Sequence, residues 1–112
     1  MSSKEFLVRE ARRRAEVFGK LDEYLRKIAE IIMKLDPRAE VYLFGSVAEN
    51  RHLLSSDIDV LVVTEMSPGE VLAVFWREGI RDPFEIHVVT RDKLDVYKGR
   101  AKLIKISPDN KP

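Results

Sequence analysis

The spacing of apolar residues divides the chain into a helical first part and a second part that mixes strands and helices. Apolar side chains recur every three or four residues through positions 3–35, which predicts two helices joined at Gly19 or one continuous helix. Asp36 precedes Pro37 and ends this part, because the residue before a proline disfavours helical backbone. We therefore expect an N-terminal helical region at 1–36.

Three apolar runs after this region predict the strands of one small sheet. They are EVYLF at 40–44, DIDVLVV at 57–63 and FEIHVVT at 84–90. The last four residues of the second run are all apolar, as in a strand that is covered on both faces. The tail AKLIKIS fits either a short edge strand or irregular structure, and the pattern does not decide between them.

A helix is predicted between the second and third strands. Ser67 fits the N-cap, Pro68 the first helical position and Glu70 a capping box, while Gly79 marks the end. A short helix is also predicted near RDKLDVY. The predicted fold class is α/β, a small mixed β-sheet with helices packed against it. We expect a single domain over 1–112 with its core at 39–106.

The order of these elements should bring distant residues together at one end of the sheet. Strand, helix and strand within about thirty residues form a βαβ unit, so the second and third strands should be parallel with a right-handed crossover. The first strand returns through a loop too short for a long crossover and should be antiparallel to the second. Gly45-Ser46, Asp57, Asp59 and Glu85 therefore converge, with Asp57 and Asp59 on one face.

Three carboxylates at one end of a sheet repel one another unless a cation neutralises them. Ligands that are all oxygen favour a hard cation, so Mg²⁺ or Mn²⁺ is expected at Asp57, Asp59 and Glu85. Two such ions bridged by a shared carboxylate can stabilise the attacking and leaving oxygens of a phosphoryl displacement. Gly45 lets a phosphate approach the backbone, and the Ser46 hydroxyl can bind its oxygens.

Composition narrows the classes of function. The 112 residues carry a formal net charge of +1 although 35% of them are charged, whereas a nucleic-acid-binding domain is usually more basic. The chain has no cysteine, which excludes disulfides and thiolate metal sites. No apolar stretch has the length of a membrane span and no signal-peptide core is visible, so we expect a cytoplasmic protein. Many charges of both signs are also typical of thermophile proteins.

The stretch from Val41 to about Thr90 resembles the DNA polymerase β-like nucleotidyltransferase superfamily, in particular its minimal nucleotidyltransferases. The resemblance is carried by GS at 45–46, an intervening loop, SDIDVLVV at 56–63 and an acidic residue on the next strand. It implies that 39–106 is a catalytic core.

The resemblance also implies roles for the converging residues. Gly45 and Ser46 would hold a nucleoside triphosphate, Asp57 and Asp59 would ligate metal, and the third carboxylate, Glu85, would help to bind metal and to activate an acceptor hydroxyl. The implied reaction is a Mg²⁺-dependent transfer of a nucleoside monophosphate, AMP from ATP, to that hydroxyl.

The implied partners follow from the small size of such proteins. Family members of this length often act with a separate helical protein of the HEPN type, as its antitoxin, and some modify that partner. A homodimer could instead complete the site. One alternative function is a catalytically weak or inactive nucleotide-binding antitoxin that neutralises its partner by contact. The other is an enzyme that polymerises or tails nucleic acid, which the small size and the near-neutral charge disfavour.

Two positions depart from the family pattern. Asn50 stands where the loop commonly has glycine, although asparagine tolerates the left-handed backbone region better than most residues. Glu85 stands where the family usually has aspartate. His87 lies on the same face two residues further on, so a register slipped by two would give histidine the third role; its alternative is a structural histidine that lines the site.

Other residues keep two interpretations. Arg51 could reach the triphosphate from the loop or be a solvated loop arginine. The run Arg12-Arg13-Arg14 predicts a solvated helix face rather than a nucleic-acid patch. Phe75 and Trp76 are both interpreted as core residues of the crossover helix.

Overall fold

The computed structural model describes residues 2–53 and 55–108. The predicted single domain over 1–112 also includes Met1, Leu54 and 109–112, which lie outside the described residues, and it stays a prediction. Within residues 2–53 and 55–108, no helix combines the length and apolar character needed to cross a membrane. The elements are α1 (Ser3–Gly19), α2 (Leu21–Leu35), β1 (Glu40–Phe44), α3 (Gly45–Ala48), β2 (Ile58–Val63), α4 (Pro68–Arg77), β3 (Phe84–Val89), a 3₁₀ turn (Arg91–Lys93), α5 (Leu94–Lys98) and β4 (Ile104–Ile106).

The four strands form one mixed sheet in the order β3-β2-β1-β4. Strands β2 and β3 are parallel across the helix α4, and β1 is antiparallel to β2, as the sequence predicts. The tail contributes β4, which pairs antiparallel with the outer side of β1. The predicted α/β class is therefore confirmed, and the undecided tail is an edge strand. The carboxyl end of β1 and the amino ends of β2 and β3 lie at one end of the sheet, which we call the site end.

The two faces of the sheet are covered differently. One face packs on α1, α2 and α4 and forms the larger core, in which Ile28, Val60 and Phe75 are almost fully buried. The other face carries a smaller cluster built around Leu61, with Leu94 of α5 among its members. Because β2 lies between these clusters, its last four residues are fully buried, in agreement with the two-sided covering predicted from their apolar run.

The crossover helix α4 begins as its sequence predicts. The Ser67 hydroxyl accepts a hydrogen bond from the Glu70 backbone N–H, and Pro68 occupies the first turn. Its two aromatic residues differ in exposure, however: Phe75 is 1% exposed, whereas Trp76 is 59% exposed. The interpretation of Trp76 as a core residue is wrong, because consecutive helical positions differ by about 100° in direction and only one can face the sheet. Arg81 instead covers the indole, 4.1 Å from the ring centroid.

These neighbouring aromatic positions should differ sharply in their contribution to folding. Phe75→Ala leaves a cavity in the larger core and should cost about 3–5 kcal/mol of unfolding free energy. Trp76→Ala removes an exposed ring and one cation–π contact and should cost about 1 kcal/mol or less. Denaturant unfolding followed by circular dichroism measures both. Equal costs for the two variants would contradict the assignment of the buried face.

Candidate active site at one end of the sheet

Asp59 lies at the centre of the site end because β2 is flanked by both other long strands. It is in register with Phe44 at the end of the antiparallel β1 and with Glu85 near the start of the parallel β3. Partner residues in register point to the same face, so the carboxylates of Asp59 and Glu85 are neighbours. The Asp59 side chain is 24% exposed and that of Glu85 is 55% exposed.

His87 joins these two carboxylates. Its Nε2 lies 3.2 Å from Oδ1 of Asp59 and 3.7 Å from Oε1 of Glu85. The ring also packs edge-on against Phe44, with 5.0 Å between the ring centroids. His87 thus lies on the face predicted from the sequence, and its ring is in direct contact with Asp59.

Asp59, Glu85 and His87 form a group that fits a divalent cation. One ligand atom from each lies within 4.8 Å of the other two. Among residues 2–53 and 55–108, these are the three side chains of types that bind metals that come this close together. Two carboxylates and one imidazole are ordinary ligands of such ions. Asp57, the other predicted ligand, is not a member of this group.

Asp57 immediately precedes β2 and is held by a residue of α1. The Arg14 guanidinium donates a hydrogen bond to the Ser56 carbonyl oxygen at 3.1 Å and lies 3.7 Å from Oδ1 of Asp57. The Arg14 side chain is 23% exposed. The interpretation of Arg12-Arg13-Arg14 as a solvated face is therefore wrong for Arg14, and no periodicity in the sequence could have paired it with a residue 43 positions away.

Gly45 is required by the backbone and by Asp59 together. It has a φ of +76°, which L side chains rarely adopt, and a Cβ there would overlap the Asp59 carboxylate. Glycine therefore lets the chain turn from β1 into α3 directly against Asp59. Ser46 follows in α3 and is partly exposed. The predicted phosphate-binding pair thus borders the metal-ligand group.

The loop after α3 contains the other two residues of interest. Asn50 has a φ of +56°, so its backbone lies in the left-handed region that glycine would occupy more easily. Arg51 is exposed and pairs with the Glu49 carboxylate at 3.2 Å. The structure does not bring the Arg51 side chain into contact with Asp59 or Glu85.

A large groove lies at the opposite end of the sheet, far along β2 from Asp59. It has a volume of about 730 Å³ and is lined by residues that follow α2, β2 and β3. Two of its ionisable groups already have partners: Thr64 donates a hydrogen bond to Asp36 at 2.6 Å, and Arg91 pairs with Glu40 at 2.8 Å. The Thr64 hydroxyl holds the pKa of Asp36 below its usual range. The two neighbouring carboxylates of Asp59 and Glu85 lie instead at the site end.

Replacing Gly45 should damage both the fold and the site. Gly45→Ala forces alanine into the left-handed region and displaces Asp59, which together should cost at least about 2 kcal/mol. Gly79→Ala is a matched control, because Gly79 has a φ of +83° with open space around its Cβ position. It should cost only about 1 kcal/mol. Thermal or denaturant unfolding compares the stability of the two variants. Equal losses of stability would contradict a clash between the alanine at position 45 and Asp59.

The Thr64–Asp36 bond should make stability depend on pH in a defined direction. Because the folded pKa of Asp36 is lowered, the bond stabilises the protein above the unfolded pKa and is lost as pH falls through the folded value. Thr64→Val should therefore cost about 1 kcal/mol at neutral pH, and the difference from the parent should shrink below pH of about 4. Thr64→Ser keeps the hydroxyl and serves as control. Urea unfolding at neutral pH and below pH of about 4 measures the difference in unfolding free energy between variant and parent. A difference that does not change with pH would contradict the prediction.

Comparisons with known proteins give both a structural relative and a family. The chain is similar to the crystal structure of a Sulfolobus solfataricus protein provisionally assigned as a nucleotidyltransferase: 28% identity, 80% of this chain and 84% of that chain covered, TM-score 0.59. No curated protein matches the chain. The family model of the nucleotidyltransferase domain matches residues 25–109, which include every member of the site described above except Arg14. The chain belongs to the nucleotidyltransferase domain family.

Proposed function

We propose that this protein transfers a nucleoside monophosphate, AMP from ATP, to a hydroxyl group and releases pyrophosphate. The observation that carries the proposal is the contact between Gly45 and Asp59, because a backbone suited to phosphate then lies beside a carboxylate that is grouped with Glu85 as a possible metal ligand. Family membership supports nucleotidyl transfer in general. The nucleotide, the acceptor and the metal are the finer parts of the proposal.

The triphosphate would lie over the turn from β1 into α3. Gly45 offers a backbone without a side chain, and the Ser46 hydroxyl and neighbouring amides would bind phosphate oxygens. Arg51 would reach the phosphates from its loop if it exchanged its ion pair with Glu49. These groups would orient the α-phosphate for in-line attack, which is the main task of a protein in phosphoryl transfer.

Asp57, Asp59 and Glu85 would hold Mg²⁺ or Mn²⁺. Bound metal would supply charge stabilisation to the phosphate oxygens during the displacement. Asp59 and Glu85 already lie in register, whereas Asp57 would need to exchange Arg14 for the metal. Glu85 would also accept a hydrogen bond from the acceptor hydroxyl. The acceptor oxygen would bond to the α-phosphorus while the bond to the leaving pyrophosphate breaks, and the hydroxyl proton would pass to a carboxylate or to water.

The acceptor would be supplied from outside the described site. We propose a helical protein of the HEPN type as the partner, acting in the cytoplasm, with this chain as its antitoxin. A homodimer that completes the site is the other arrangement. The near-neutral net charge of +1 argues against nucleic acid as the acceptor.

A second candidate function is a nucleotide-binding antitoxin that acts by contact alone. It is favoured by the ion pair between Asp57 and Arg14, which engages one expected ligand away from the other two. The replacement of the usual aspartate by Glu85 favours it as well. In that case nucleotide and metal would stabilise the protein without being consumed.

The test is transfer of radioactive AMP from α-labelled ATP to the protein and to any co-purified partner. Mass spectrometry should find the mass of one adenylate on a hydroxyl. Asp57→Asn, Asp59→Asn and Glu85→Gln should each reduce transfer by roughly 100-fold or more, because each removes a ligand of the proposed metal. Glu85→Asp should retain activity.

A matched control is Asp22→Asn, which changes an exposed aspartate on α2 and should leave transfer unchanged. Full activity in Asp59→Asn would overturn the proposed reaction. An inactive parent that still binds nucleotide and a helical partner would instead favour the contact function.

A further inference from the structure

The position of His87 carries an inference about which cation the site selects. It rests on the proposed metal site and goes beyond it, because an imidazole changes the chemistry of a ligand set that sequence analysis treated as all oxygen. We infer that His87 ligates the metal directly through Nε2, together with Asp59 and Glu85, and that this nitrogen makes the site prefer a divalent transition-metal ion such as Mn²⁺ over Mg²⁺.

The distances from Nε2 of His87 to the two carboxylates fit ligands of one ion. Ligand atoms about 2.1 Å from an octahedral ion lie about 3.0 Å apart when adjacent and about 4.2 Å apart when opposite. Nε2 of His87 is 3.2 Å from Oδ1 of Asp59 and 3.7 Å from Oε1 of Glu85. The first separation is close to that of adjacent ligands and the second lies between the two values, so a small side-chain adjustment would bring the nitrogen and the two oxygens onto one ion.

Packing holds the His87 ring in its position beside the carboxylates. His87 and Glu85 are two residues apart on β3 and therefore point to the same face. The ring packs edge-on against Phe44 at 5.0 Å, and Phe44 in turn packs against Tyr97 at 5.8 Å. The His87 side chain is 31% exposed. A partly covered ring with packed neighbours is held towards the carboxylates rather than turned into solvent.

An imidazole ligand changes which metal ion the site prefers. Mg²⁺ takes oxygen ligands and retains several waters, whereas imidazole suits first-row transition ions. For a site of mixed nitrogen and oxygen ligands, affinity generally rises from Mn²⁺ towards the later metals. Replacing one oxygen by Nε2 therefore weakens the site for Mg²⁺ relative to Mn²⁺. The other interpretation of the 3.2 Å contact is that Nε2–H donates a hydrogen bond to Asp59 and only orients it.

The experiment uses nucleotide-free protein with Mn²⁺ alone, so that it does not depend on turnover. Electron paramagnetic resonance gives the Mn²⁺ affinity, and competition with Mg²⁺ gives the affinity ratio. Pulsed electron paramagnetic resonance of bound Mn²⁺ should show hyperfine coupling to a nitrogen nucleus. Supplying ¹⁵N-histidine during growth should change that coupling. This isotope test needs no substitution and so does not depend on whether a variant folds.

The chain offers a matched control because it contains only two histidines. The other, His52, stacks face to face on Phe18 with 5.1 Å between ring centroids. His87→Gln should abolish the nitrogen coupling and lower the Mn²⁺-to-Mg²⁺ affinity ratio by roughly tenfold. His52→Gln should keep both the coupling and the ratio.

The outcomes separate this inference from the proposed reaction. Mn²⁺ binding that depends on Asp59 but shows no nitrogen coupling would overturn the inference and leave the metal site standing. A ratio unchanged by His87→Gln would overturn it as well. Failure of the nucleotide-free protein to bind either ion would overturn the inference, whereas the proposed reaction is tested by AMP transfer. Nitrogen coupling in a protein that transfers no nucleotide would support the ligand assignment while the reaction fails.

Discussion

The close approach of Gly45 to Asp59 is the constraint on which the site depends. The pairing of Phe44 with Asp59 in the β1–β2 ladder fixes where the chain must leave the sheet, and the next residue has no room for a side chain. A positive φ at that residue turns the chain into α3 instead of continuing the strand. The phosphate-binding turn and the metal ligand are thus parts of one local geometry.

The balance of charge at the site end follows from this geometry. Asp59 lies beside Glu85, and two carboxylates in register on adjacent strands destabilise the fold unless something compensates them. In the described part of the chain, His87 lies close to both carboxylates, and Arg14 forms an ion pair with Asp57. These partners allow the sheet to keep acidic residues at the start of its central strand. A bound metal would displace Arg14 from Asp57 and would share Asp59 and Glu85 with His87.

Sequence patterns predicted most of the scaffold because its signals are local. The apolar run of β2, the N-cap Ser67 and the short crossover determine a parallel β2–β3 pair, and parallel register then brings Asp59 and Glu85 together. The sequence left three features open or misassigned: the exposure of Trp76, the pairing of β4 with β1, and the contact of Arg14 with Asp57. Each depends on which surfaces meet in three dimensions, and no spacing along the chain encodes that.

The two ends of the sheet show why the site is where it is. At the far end, Glu40 pairs with both Arg91 and Lys105, and these bonds outweigh the burial that would otherwise raise its pKa. Asp36 is likewise bonded to Thr64. A charged ligand that bound to these groups would have to replace those bonds. At the site end, Asp59 and Glu85 share one imidazole, so an added divalent cation relieves repulsion instead of competing with strong ion pairs.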